Sequence, residues 1–158
     1  MDSVNILMNI RKIVRSVNLE SKRIQKIYGV SIPQLLSLIH LKARTDYQST
    51  QKELTEFLQL NSSTVTGIVN RLEKKGLVAR LPNKDDRRVT NISLTTKGLE
   101  LLEKEPDLLQ EKLLKNLENI PEEKVGEVKN TLEFLVKVLE IESVDASPLI
   151  MMNDPLES

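Results

Sequence analysis

Two short runs in this chain carry side chains suited to reading a polyanion. Asn61-Ser62-Ser63-Thr64-Val65-Thr66-Gly67 gathers small hydroxyls at what reads as a helix start, and Asp85-Asp86-Arg87-Arg88 places two guanidinium groups at what reads as a hairpin tip. Short polar side chains on the first turns of a helix can enter the major groove of a duplex. A guanidinium suits the narrow minor groove, where negative potential is enhanced. The base-contact candidates are therefore Ser62, Ser63, Thr64, Thr66, Gly67, Asn70 and Arg71, some facing bases and others phosphates. Asn70 has the chemistry to bond adenine, and Arg71 to bond guanine or a phosphate. Taken alone, each run has a plainer reading, as a capped surface helix or as a solvated hairpin tip. Their order and short spacing favour the nucleic-acid reading.

Other chemistries find little support. There is no cysteine, which excludes disulfides, thiolate metal sites and thiol redox switches, and fits a reducing cytoplasm. No Gly-rich phosphate loop, nucleophile elbow or His-Glu-x-x-His occurs, so no enzyme is expected. His40 is the sole histidine. One imidazole with scattered carboxylates gives no ligand spacing, so neither metal nor cofactor is expected. His40 could contact a phenolate or act as a pH switch, but a packed or surface histidine is the simpler expectation.

The elements that must position these groups can be read from periodicity and caps. Residues 4–28 read as one helix, with Ile6, Ile10, Ile13, Val17, Ile24 and Ile27 at alternating steps of three and four that Glu20 interrupts. Such a stripe on a charged helix needs a partner, in the same chain or in a second copy. Gly29 is a stop. Ser31-Ile32-Pro33-Gln34 has capping-box form and opens a largely apolar helix to about Arg44; Thr50-Gln51-Lys52-Glu53 opens a second, through about Leu58, with Leu54, Phe57 and Leu58 facing inward. Asn61 or Ser62 caps a helix to about Lys75, with Val65, Ile68, Val69 and Leu72 inside. Two short helices joined by a tight turn make a helix-turn-helix. Gly76 closes it, and strands at Leu77–Leu81 and Val89–Leu94 form a hairpin, the wing.

Thr95 or Thr96 caps the next helix, whose inner side is Leu99, Leu102, Leu109, Leu113, Leu117 and Ile120, with Pro106 expected to kink or split it. Pro121 opens a last helix with a second stripe, Val125, Val128, Leu132, Leu135 and Leu139. The expected fold is mainly α with a small β-hairpin. An N-terminal helix occupies 1–30, a winged helix-turn-helix 31–98 (reading helix 62–75, wing 77–94), C-terminal helices 99–142 and an irregular tail 143–158. Within that tail, Leu149-Ile150-Met151-Met152 is apolar enough to dock.

The 158 residues carry a formal net charge of zero that hides segregation. Residues 1–47 hold 8 Lys and Arg against 3 Asp and Glu, residues 48–98 hold 9 against 5, and residues 99–158 hold 6 against 15. A positive first two-thirds attracts a polyanion and an acidic last third is kept from it, although acidic helices are also simply well solvated. Arg11 and Lys12 interrupt the first apolar segment, and no apolar run approaches the ~18 residues of a span, so neither a signal peptide nor a membrane segment is expected.

Glu73-Lys74-Lys75-Gly76-Leu77-Val78, Asp86-Arg87-Arg88 and Ser93-Leu94-Thr95-Thr96-Lys97-Gly98 together resemble the MarR family of bacterial transcriptional regulators. The resemblance is specific over about 48–98 and looser across 4–142. It implies a homodimer with interlocking terminal helices, a recognition helix at 62–71, Arg88 as minor-groove finger, Asp86 as its brace, and Arg87 on phosphate. Ile6, Ile10, Ile13 and Val17 would then be dimerisation positions, with Val125, Val128, Leu132, Leu135 and Leu139. Gln51, Lys52, Lys74 and Lys84 join the DNA-binding set. The implied function is a cytoplasmic regulator, usually a repressor, on a pseudo-palindromic operator of double-stranded DNA. A small-molecule effector, where one acts, would bind between dimer and DNA-binding parts. Lacking cysteine, the chain cannot sense oxidants as the family's organic-hydroperoxide sensors do. The alternative is a winged-helix module that docks a partner protein without specific DNA binding.

Overall fold

The computed structural model describes residues 1–144 and 146. The chain divides into two compact units, one of residues 1–106 and one of residues 107–146 among those described. The expected docking of Leu149–Met152 and most of the tail lie outside the described residues.

The first unit begins with α1, Asp2–Tyr28, which ends at a left-handed Gly29 with φ 66°. Only its last turns enter the core, through Ile24 and Tyr28. Tyr28 is held by its own hydroxyl, which donates to the Lys104 carbonyl at 3.4 Å. Helix α2, Ile32–Ala43, is the centre of the unit, with Leu35, Leu38 and Leu41 fully buried. Its capping box is formed, Ser31 Oγ accepting from Gln34 N–H and Gln34 Oε1 accepting from Ser31 N–H. Each orphan amide at a helix start is thereby satisfied by a residue three positions away, which is why the boundary is legible locally.

A strand follows that periodicity did not reveal. β1, Gln48–Thr50, pairs antiparallel with β3, Thr90–Leu94, which pairs in turn with β2, Val78–Pro82. The expected hairpin is β2 with β3, and β1 extends it to a three-stranded sheet in the order β1-β3-β2. Gln48-Ser49-Thr50 has no apolar alternation of its own; its conformation comes from the register Ser49↔Ile92. Thr50 ends the strand and also caps α3, Gln51–Leu58, in a second capping box with Glu53. Leu54 and Leu58 are buried as expected, but Phe57 is 43% exposed and stacks on His40 with ring centroids 4.4 Å apart.

Asn61 caps α4, Ser62–Lys74, its side chain accepting from Thr64 N–H at 2.8 Å. Val65, Ile68, Val69 and Leu72 bury one face. At its end Leu77 N–H reaches Leu72 O and Gly76 N–H reaches Glu73 O, both at 2.9 Å, around a Gly76 with φ 72°. This 6→1 and 5→2 pair is a Schellman motif, and the buried Leu72 and Leu77 supply its apolar contact. α5, Thr96–Leu102, is capped by Thr95, whose hydroxyl also donates to the Gly76 carbonyl at 2.6 Å. The end of α4 and the start of α5 are thus one hydrogen-bonded junction.

The second unit holds α6, Leu109–Leu117, and α7, Glu122–Val138. Pro106 does separate α5 from α6. Leu117 of α6 lines an open apolar groove with Val125, Val128, Leu132 and Val136 of α7. Leu109, Leu113 and Ile120, expected on an inner side, are exposed in the single chain. Neither α6 nor α7 contains a fully buried residue.

Candidate nucleic-acid interface

Helix α4 is polarised by its packing. Once Val65, Ile68, Val69 and Leu72 face the core, the 3.6-residue period turns Ser63, Thr66, Gly67, Asn70 and Lys74 outward on one stripe. Ser62 and Ser63 are exposed at its start, and Thr64 is half-buried. Ser63 Oγ donates to Asn61 Oδ1 at 2.8 Å, which leaves its oxygen lone pairs outward. The Thr66 hydroxyl is committed within the protein: it donates to the Ser62 carbonyl at 2.9 Å and accepts from Gln51 Nε2 at 2.7 Å. What Thr66 retains for a ligand is its methyl group, which suits the thymine methyl in a major groove. Gln51 thus joins α3 to α4 across the turn. Lys52 is exposed beside it.

Gly67 has open space above it. A Cβ there would meet only Arg71 Nη1, at 3.6 Å. The Arg71 guanidinium therefore lies back along the helix toward Gly67. Lys74, on the last turn, is exposed.

A residue outside the expected set controls the far end of this stripe. Arg80 on β2 donates through Nη1 to Glu73 Oε2 at 3.0 Å and through Nη2 to Asn70 Oδ1 at 2.5 Å. The Asn70 carbonyl, half of any bidentate adenine contact, is already engaged. Sequence spacing hid this, because Arg80 reaches back over the Gly76 turn to partners 7 and 10 residues earlier.

The wing tip is built by side chains that bond backbone. Asn83 Oδ1 accepts from the N–H groups of Asp85 and Asp86, at 2.9 and 3.1 Å. Asp86 Oδ1 accepts from Arg88 N–H at 2.9 Å, and its distance to Arg88 Nε is 4.0 Å. Asp86 therefore holds the backbone of Arg88 more closely than its guanidinium, and the Arg88 side chain is 95% exposed. Lys84 and Arg87 are also exposed. An amide relay anchors the tip to the sheet: Asn83 Nδ2 donates to Asn91 Oδ1 at 3.0 Å, and Asn91 Nδ2 to Gln48 Oε1 at 3.2 Å.

His40 sits behind the interface. Its Nε2 is 3.3 Å from Ser49 Oγ, which is 3.0 Å from Glu53 Oε2, and Glu53 pairs with Arg44 at 3.5 Å. Burial lowers the imidazole pKa, Arg44 lowers it further, and Glu53 opposes both. The Glu53 carboxyl is also lowered, first by the Thr50 N–H it accepts and then by Ser49. Among the described residues no cluster of three or more His, Asp or Glu could hold a metal ion, and no helix is long and apolar enough to cross a membrane.

The apolar stripes remain open in the single chain. Ile6, Ile13, Val128, Leu132 and Leu139 are exposed, while Ile10, Val17, Val125 and Leu135 are partly covered. Leu139 caps the end of α7 rather than lying within it.

Residues 30–90 match the sequence profile of the MarR family. The HTH-type transcriptional repressor MdtR of Bacillus subtilis is 32% identical over 60% of this chain and 59% of its own length. The organic hydroperoxide resistance transcriptional regulator of the same organism is 36% identical over 51% of this chain and 53% of its own length. The matched stretch thus spans between half and three-fifths of these relatives. Among solved structures, S. aureus MepR in DNA-binding conformation superposes with a TM-score of 0.60 at 25% identity, over 85% of this chain and 98% of that one.

Proposed function

We propose, from the match of residues 30–90 to the MarR family, that this chain is a homodimeric transcriptional regulator of the cytoplasm that binds a pseudo-palindromic operator in double-stranded DNA. The observation that carries this reading is the outward stripe of α4, Ser63, Thr66, Gly67, Asn70 and Lys74, on a helix whose opposite face is core. A helix inserted in the major groove needs short polar side chains there and a rigid back. On the wing, Arg88 extends into solvent from a tip whose backbone is fixed by Asn83 and Asp86, as a minor-groove probe must.

Lys52, Lys74, Lys84 and Arg87 supply phosphate neutralisation, so affinity falls steeply with salt. The second copy covers the open stripes of α1 and α7, and its two-fold axis sets half-sites about one DNA turn apart. The repressor among its relatives supports repression, by occupying DNA that polymerase needs. Relief by a small molecule would require it to bind one spacing of the recognition helices better than the other.

The test is a titration of duplex DNA with this protein across salt concentrations. Tight binding to a duplex carrying an inverted repeat, with a steep salt slope and a larger affinity than for random sequence, supports the reading. Retention that ignores sequence and salt would instead favour a protein-docking module.

A further inference from the structure

We propose that Arg80 is a positioning residue that sets what Asn70 can read: by holding the Asn70 carbonyl, it turns the amide N–H groups of Asn70 toward the base and favours guanine over adenine. The inference rests on the DNA-binding reading and deepens it at one position of the reading face.

The orientation of the Asn70 amide follows from chemistry. A guanidinium has donors only, so the atom facing Arg80 Nη2 at 2.5 Å is the carbonyl oxygen, Oδ1. The Arg80 group cannot swing away at no cost, because Nη1 is paired with Glu73 Oε2 at 3.0 Å. Both acceptors stand on α4, within one turn of each other, and Arg80 stands on β2, directly past the Gly76 junction. The amide nitrogen of Asn70 is then left for a ligand, and among the described residues nothing accepts from it.

That polarity has a consequence for base choice. Adenine presents an acceptor, N7, beside a donor, N6, and its bidentate partner must offer both an N–H and a carbonyl. Guanine presents two acceptors, N7 and O6. With Oδ1 turned to Arg80 and one of its two lone pairs taken, Asn70 makes a poorer second bond to adenine and keeps its N–H contacts to guanine. Guanine is thus favoured where the residue type alone suggests adenine. Sequence selectivity at this position is stored in a residue that need not touch a base.

The experiment is selection from a pool of random duplexes with the full chain, followed by affinity profiles at each position of the selected site. An enriched inverted repeat with guanine favoured at one position per half-site, at least about fivefold over adenine, is the expected result for the wild type. Arg80→Met frees the carbonyl, and the preference at that position moves to adenine while the other positions keep theirs. Arg80→Lys, which retains a donor, keeps guanine. Asn70→Asp retains the acceptor for Arg80 and lacks the N–H donor. With acceptors only, it loses the guanine preference at that position and favours cytosine, whose N4 donates. A profile unchanged in Arg80→Met, or unaltered at that position in Asn70→Asp, would overturn the inference while leaving DNA binding intact. Failure to enrich any sequence would instead overturn the DNA-binding reading, and this inference with it.

Discussion

The carbonyl oxygen of Leu77 lies so close to Gly98 that a Cβ on residue 98 would stand well inside van der Waals contact with it, and 2.7 Å from Leu94 Cδ1. Leu77 follows the turn that ends α4, and Gly98 lies in the first turn of α5. The close approach lets Thr95 N–H reach the Leu77 carbonyl at 3.2 Å and Lys97 Nζ reach the Lys75 carbonyl at 2.8 Å. Replacing Gly98 by Ala must push α5 off the end of α4. We expect a loss of about 1–3 kcal/mol, the usual cost of overpacking, as a lower urea midpoint with unchanged slope. A midpoint equal to that of the wild type would mean the junction yields freely.

Gly67 makes the opposite prediction. Its Cβ would meet ordinary contact only, and Ala is preferred over Gly in a helix by about 1 kcal/mol. Gly67→Ala should therefore raise stability by roughly that amount and weaken operator binding, since the added methyl fills the space through which the backbone approaches DNA. Increased stability with unaltered affinity would remove Gly67 from the reading face.

The two glycines look alike in sequence, and the difference shows what was legible. Caps were readable because Ser31 with Gln34, and Thr50 with Glu53, satisfy orphan amides over three residues. The stop at Gly76, the break at Pro106 and the order of helices are equally local. What could not be read depends on distant chain. β1 exists because Gln48-Ser49-Thr50 pairs with a strand more than 40 residues later. Phe57 fits an inward helical position, yet it covers His40 at the surface. Arg80 has no motif; only the fold of the turn brings it to Asn70. The polar stripe of α4 was visible as a composition, but which of its groups are already spent, such as the hydroxyl of Thr66, required coordinates.

The open stripes predict an oligomer. Ile13 is 62% and Leu132 52% exposed in the single chain. A charge at either position would be buried without a partner in the proposed dimer, which is strongly unfavourable. Ile13→Asp and Leu132→Asp should each sediment as monomers where the wild type sediments as a dimer. Dimers that survive both substitutions would require another interface.

Stability should respond to acid in two windows. The folded chain holds His40 below its ordinary value of 6.5, mainly by burial. The unfolded chain therefore takes up this proton first, and stability falls as pH drops from about 6.5 toward the lowered folded value. The lowered carboxyl of Glu53, ordinarily 4.5, adds stability above that value, which is lost as pH falls through its folded value. His40→Gln should flatten the first window and keep most of the second, because the Glu53 shift comes first from Thr50 N–H and Ser49. Urea midpoints from pH 7 down to about pH 3, well below the ordinary Glu53 value, would show it, and an unchanged profile in His40→Gln would refute the assignment.

Arg88 bears most directly on the central claim. Its backbone is fixed by Asp86 while its side chain touches little of the protein, so Arg88→Ala should unfold at the same urea concentration as the wild type. In a fluorescence titration of the selected operator at fixed salt, the same variant should lose roughly 1–3 kcal/mol of binding free energy. Equal affinity of Arg88→Ala and wild type, or no sequence-selective binding by the wild type at low salt, would contradict the account.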